Sequence, residues 1–179
     1  MSALDRLNAW SAEEAHAAML RCCGSTRWAR AMVAKRPFTS IGALMSSADS
    51  IWASLDRADW LEAFSAHPRI GSRKDVEAKA KSTKAWSEQE QSGASSADEA
   101  TKRALAEANA DYEAKFGRVY LVCATGKSAE EMLDLCRARL GNDAETELRV
   151  AAEEQRKITR LRLEKLLREH HAPSEDSGS

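Results

Sequence analysis

Long stretches of this chain run without glycine or proline, and most of them repeat apolar residues every third or fourth position. Only three prolines (37, 68 and 173) and eight glycines punctuate 179 residues. Few points can therefore end a helix, and the pattern selects an α-helical fold over a sheet. The starts are marked too. Ser11-Ala12-Glu13-Glu14 has the spacing of a capping box, in which serine and glutamate each satisfy the other's backbone amide. Ala15, Ala18, Met19 and Cys22 then recur on one face until Gly24. A second helix is expected from Ser25 or Thr26 to Arg36, with Trp28, Ala31 and Met32 on one side and Pro37 as its stop. Residues 40–47 and 50–55 read as two short helical turns, and Asp59 as the cap of a helix running through Phe64.

Further on, Leu105, Ala108, Tyr112 and Phe116 form the stripe of a helix over 97–116, ended by Gly117. Residues 119–124 are the only run with β-like composition, short and without a partner, so a buried extended segment is expected there and not a sheet. A third capping box at Ser128 and Glu131 opens a helix with Met132, Leu133, Cys136 and Leu140 inward, closed by Gly141. In the last helix, 143–170, Leu148, Ala151, Ala152, Ile158, Leu163 and Leu166 share one face at 100° per residue. Arg149, Arg156 and Arg160 fall opposite. The expectation is all-α: one domain over 1–172, a bundle of roughly seven to nine helices without significant sheet, then a disordered tail at 173–179.

With 43% apolar and 31% charged residues and a net charge of −1, the composition suits a soluble globular protein and favours neither nucleic acid nor an anionic membrane as partner. No window approaches the ~20 apolar residues of a membrane span. The N-terminus lacks signal-peptide order and the C-terminus a peroxisomal tripeptide, so a cytoplasmic location is expected. Cys22, Cys23, Cys123 and Cys136, with His16, His67, His170 and His171, make no zinc-like spacing and read as reduced thiols and scattered imidazoles.

Three places carry chemistry. His67 stands before Pro68, at a helix end where the chain is pushed into extended geometry. Histidine is the side chain whose unperturbed pKa lies nearest neutrality, although a histidine at a helix end can equally cap or pack. From 72 to 96 the chain turns polar, as a solvated loop with short helical pieces. Within it Ser87-x-x-Glu90 again has capping-box spacing, which leaves a cap and a polar binding cluster both open. Arg162 lies inside the apolar stripe of the last helix, one turn from Ile158 and from Leu166. A buried guanidinium needs an anion, which an internal carboxylate or a ligand could supply, unless the stem snorkels.

The chain resembles the 2-oxo-4-hydroxy-4-carboxy-5-ureidoimidazoline (OHCU) decarboxylase family of urate degradation. The likeness is carried by Cys23-Gly24-Ser25-Thr26-Arg27-Trp28, Arg36-Pro37-Phe38 and Phe64-Ser65-Ala66-His67-Pro68-Arg69-Ile70-Gly71. It continues through Ser87-x-x-Glu90-Gln91-x-Gly93, Asn109-x-x-Tyr112-x-x-x-Phe116-Gly117, Cys123-Ala124 and Lys157-Ile158-x-x-Leu161-Arg162-Leu163. The pieces fall in the family's order over roughly residues 7 to 167. The resemblance implies an all-helical, homodimeric enzyme that converts OHCU to (S)-allantoin without metal or organic cofactor. It implies His67 as proton donor, with Glu90 as the second catalytic group. As substrate contacts it implies Pro68, Ser87, Glu90, Gln91, the backbone of Tyr120, Leu121, Val122, Cys123 and Ala124, and Arg162. Two alternatives stand beside it: a non-catalytic helical interaction module, and a related enzyme acting on another small ureido or imidazoline acid.

Overall fold

The computed structural model describes residues 1–70, 81–95 and 97–170. The tail expected at 173–179, residues 72–80 and 96 of the polar stretch, and Gly71 lie outside them. Ten helices and no strand occur among the described residues: α1 (Ala3–Ala9), α2 (Ala12–Cys22), α3 (Thr26–Ala34), α4 (Ile41–Ser54), α5 (Arg57–Ser65), α6 (Lys81–Glu90), α7 (Ser92–Ser95), α8 (Glu99–Phe116), α9 (Ala129–Arg139) and α10 (Ala144–Glu169). The all-α expectation holds. The count exceeds it through α1, begun by a Ser2–Asp5 capping box, and the four-residue α7.

The chain divides into two compact units, one made of residues 1–59 and the chain from 158 onward, the other of residues 60–157. In the first, α2 packs on α3 and α3 on α4, and Met19, Cys22, Trp28, Met32, Leu44, Ile158, Leu163 and Leu166 are buried. The Trp28 indole donates to the Ala48 carbonyl at 3.1 Å. The two short turns expected at 40–47 and 50–55 are one helix, α4, because nothing between them breaks the ladder. Its polar middle is used instead, with Asp49 taking Arg160 Nη1 at 2.6 Å. The cap expected at Asp59 is Asp56, whose Oδ1 accepts the Asp59 amide at 3.2 Å. Arg36 and Phe38, which carry part of the family likeness, hold α1. Arg36 Nη1 donates to the carbonyls of Leu7 and Trp10 at 2.9 and 2.8 Å, and Asn8 pairs both ways with the Phe38 backbone.

The second unit is built on α8 and α9, which pack closely. Leu105, Ala108 and Tyr112 from α8 meet Met132, Leu133 and Cys136 from α9, with Tyr120, Val122 and Ala124 in the same cluster. Gly117 ends α8 at φ 71, a left-handed conformation that glycine takes without cost. Residues 119–124 then run without helix or ladder, as the sequence suggests.

Candidate active site

The last turn of α5 tightens before it stops. The amides of Ala66 and His67 donate to the carbonyls of Ala63 and Phe64, each at 3.2 Å, and Pro68, buried, has no amide to continue. The half-buried imidazole that results has Nε2 2.6 Å from Oε1 of Gln155, a fully buried side chain of α10. Two residues on, Arg69 grips Glu113 of α8 through Nε and Nη2 at 2.6 and 3.1 Å. Such a two-point pair fixes orientation as well as position, so the His-Pro turn is tied to α8 on one side and meets α10 on the other.

Ser87 is not a cap. It lies inside α6, which has begun by Lys81, and its hydroxyl is buried, 2% exposed, with no hydrogen-bond partner among the described residues. A buried hydroxyl left unpaired costs on the order of 1–3 kcal/mol, so this position calls for a polar partner. Glu90, buried, is the last residue of α6. Half-buried Gln91 follows and returns its amide to the Ser87 carbonyl at 3.1 Å. Gly93 then passes so close to the next loop that a Cβ there would sit 2.1 Å from the Lys127 carbonyl oxygen.

Tyr120 to Ala124 are all buried, and within the described residues the segment is held by its carbonyls. Leu121 accepts from Arg139 Nη1 at 2.7 Å, Cys123 from Lys127 Nζ at 2.8 Å and Ala124 from the Lys127 amide at 3.0 Å. The Tyr120 hydroxyl donates to the Met132 carbonyl at 3.0 Å. Arg139 in turn belongs to a buried network. Glu147, with 0% exposure, takes Arg139 Nε at 2.8 Å, Arg139 Nη2, the Tyr112 hydroxyl at 2.6 Å and Asn142 Nδ2 at 3.0 Å. The guanidinium also lies 4.9 Å from the Tyr120 ring centre and 5.7 Å from that of Tyr112. Burial works against its charge, but the hydrogen bonds and charge of Glu147 outweigh that and hold the Arg139 pKa above its ordinary value. Both tyrosine hydroxyls are pushed up, chiefly by burial.

The Cys123 thiol is likewise pushed up by burial, and the charges that act on it are Lys127, Glu154 and Glu90. The end of α6, the extended segment and α10 therefore converge on one region of this unit. Glu154, also buried, pairs with Lys157 at 2.9 Å and precedes the Gln155 that meets His67. Of the residues singled out in the sequence, His67, Pro68, Ser87, Glu90, Gln91 and residues 120–124 all belong to this unit. Arg162 belongs to the other. It is 5% exposed and donates from Nη1 to the Arg21 carbonyl at 3.2 Å. It acts there to lower the Cys22 thiol, which burial nonetheless pushes up to about 12. Sequence reasoning missed Gln155, Glu154, Lys127, Arg139 and Glu147. A signal existed for Gln155, which is seven residues from Leu148 and so falls on the apolar stripe of the same helical wheel.

A family model described as OHCU decarboxylase matches residues 8–164. The uric acid degradation bifunctional protein TTL of Arabidopsis thaliana is 39% identical over 146 residues, which are 81% of this chain and 45% of that protein. This chain thus spans less than half the length of that relative. The 2-oxo-4-hydroxy-4-carboxy-5-ureidoimidazoline decarboxylase of Amia calva is 31% identical over 139 residues, covering 78% of this chain and 79% of its own length. A crystal structure of OHCU decarboxylase in the presence of (S)-allantoin superposes with a TM-score of 0.70 at 34% identity, over 83% of this chain and 96% of that one. A structure of (S)-allantoin synthase, at 18% identity, shares the fold with a TM-score of 0.69.

Proposed function

The chain belongs to the OHCU decarboxylase family, and from that premise we propose that it decarboxylates OHCU to (S)-allantoin with His67 as proton donor. The observation that carries the proposal is His67 itself. It is a half-buried imidazole set beyond a helix end, with Nε2 2.6 Å from the buried Gln155 amide oxygen, in the same unit as buried Glu90 and the Ser87 hydroxyl, which has no partner among the described residues.

The chemistry needs no added electron sink. OHCU carries its carboxylate on a ring carbon that also bears a hydroxyl and adjoins a C=N bond. As the C–CO2 bond breaks, its pair forms a C=C bond to the neighbouring carbon, and the displaced π pair moves to the ring nitrogen, which takes a proton. Protonation of the carbon bearing the ureido group, with loss of the hydroxyl proton, gives allantoin, and one proton is consumed overall. His67 supplies the proton to carbon from one face as general acid, which sets the S configuration. Glu90 orients His67 or holds the hydroxyl and ureido groups. Its charge near the departing carboxylate also favours the step that removes charge there. Ser87, Gln91 and the backbone of 120–124 orient the ring. Pro68 supports it from the turn, and Arg162 is taken as the substrate-binding arginine of the family. Residues 1–172 form one functional domain in this reading, since the family match runs through both units. The protein acts as a homodimer in the cytoplasm, where its four buried free thiols suit a reducing compartment. Among the described residues, no helix is long and apolar enough to cross a membrane.

The test supplies freshly generated OHCU and follows the circular dichroism of the product. Formation of S-enriched allantoin faster than the spontaneous racemic background is expected, and no acceleration sinks the proposal. Binding of allantoin without turnover of OHCU points to another small ureido or imidazoline acid as substrate. In His67→Asn the rate falls by about 10²–10⁴ and the chirality of the product is lost. A variant that keeps both leaves His67 without the assigned role. Sedimentation equilibrium at micromolar concentration checks the dimer.

A further inference from the structure

We propose that Arg139 and Lys127 act on the reaction through the backbone of residues 120–124, turning the Val122 and Ala124 amides into cation-backed donors, Ala124 for the ring nitrogen on which charge gathers as carbon dioxide leaves and Val122 for a ring carbonyl oxygen. This rests on the decarboxylation reading above. In a trans peptide the carbonyl and the following N–H point in opposite directions, and the peptides of residues 121–124 are trans. Arg139 Nη1 holds the Leu121 carbonyl at 2.7 Å, so the Val122 N–H points away from it. Lys127 Nζ holds the Cys123 carbonyl at 2.8 Å, so the Ala124 N–H points away in turn. Residues two apart in an extended chain face the same side, about 6.6 Å from each other. The two amides therefore make a short donor edge whose far side carries two cations.

A charged donor on a carbonyl withdraws electron density from its peptide unit and strengthens the hydrogen bond that the N–H can give. The segment is buried, where a fixed donor is worth more than in water. Glu147, bonded on four sides, keeps Arg139 charged and aimed. Gly93, lying against the Lys127 carbonyl, sets the turn from which the Lys127 side chain reaches back. In the ground state the ring nitrogen is a neutral, weak acceptor. It becomes a strong one only while the C–CO2 pair is being delivered, so the Ala124 donor favours the transition state over bound substrate.

The experiment uses the full chain with Lys127→Met, a change at a half-buried position that removes the charge and keeps the aliphatic stem. The expected kinetic signature is a fall in kcat of roughly 3- to 30-fold with KM within about twofold and a thermal midpoint close to wild type. In the free protein, the Ala124 amide proton moves upfield in the nitrogen–proton correlation spectrum while that of Val122 stays in place. An unmoved Ala124 amide, or an unchanged kcat, overturns the proposal. So does a loss that follows KM or the folded fraction alone, since that is what a mere brace would produce. The amide shift needs no turnover. A wild-type protein that fails to accelerate OHCU loss is thus told apart as failure of the decarboxylation reading itself.

Discussion

Single residues differ sharply in how openly they declare themselves. His67 is legible because the proline after it dictates where the helix stops, and Arg162 because a guanidinium in an apolar stripe is costly wherever it points. The burial of Arg162 follows, but with the Arg21 carbonyl as a partner. Gln155 carries no charge to betray it among apolar neighbours, although it meets His67. Arg139 and Glu147 each have an adequate local reason to exist. A basic residue suits the last turn of α9 and an acidic one the first turn of α10, so nothing along the chain announces that they meet in the core. Gln155→Leu is expected to lower kcat/KM about tenfold by freeing the imidazole, with fold intact, measured by product dichroism beside a thermal melt. The thiols give a pH prediction. Burial lifts Cys22 to about 12 and Cys136 to about 11 from an ordinary value of 9.0, so the folded state retains protons that the unfolded chain gives up. Their contribution to stability is complete below pH 9 and is lost as pH rises through 11 and 12. Urea midpoints at pH 10 should fall below those at pH 8.

At the scale of elements, the boundaries that were legible are those with a stereochemical cause: the Ser11 and Ser128 caps and the left-handed Gly117. Elsewhere spacing alone had to decide. A serine and a glutamate three apart lie on one face in the middle of a helix as well as at its start, so the Ser87–Glu90 spacing could not separate a cap from a buried polar face. The two turns expected at 40–47 and 50–55 are one helix because the serines and aspartate between them, although of the kind that competes for backbone bonds, do not interrupt the ladder. Gly93 belongs to this scale, since it lets α7 lie against the turn before α9. Gly93→Ala must displace that turn and with it Glu90 and Gln91. A cost of about 1–3 kcal/mol and a larger loss of activity than of stability are expected, read from a denaturant titration beside the rate.

For the whole molecule, the all-α class was legible from periodicity alone, whereas the division into two units was not. One of them joins residues 1–59 to the chain from 158 onward, and pairing of segments so distant leaves no local pattern. A chain cut after Lys157 lacks Ile158, Leu163 and Leu166, all buried. Losing them removes roughly 5–9 kcal/mol of apolar burial, comparable with the whole stability of a typical domain. Far-ultraviolet dichroism and the Trp28 resonance should then report α2–α4 as unfolded. The same connectivity has a consequence on the ribosome. Residues 1–59 leave the exit tunnel with their closing segment still untranslated behind the roughly one hundred residues of 60–157. At about 5–20 residues per second, the apolar faces of α2, α3 and α4 stay uncovered for roughly 5–20 s. During that interval those faces are open to aggregation or to a chaperone, and slowing translation between codons 60 and 157 would lengthen the exposure.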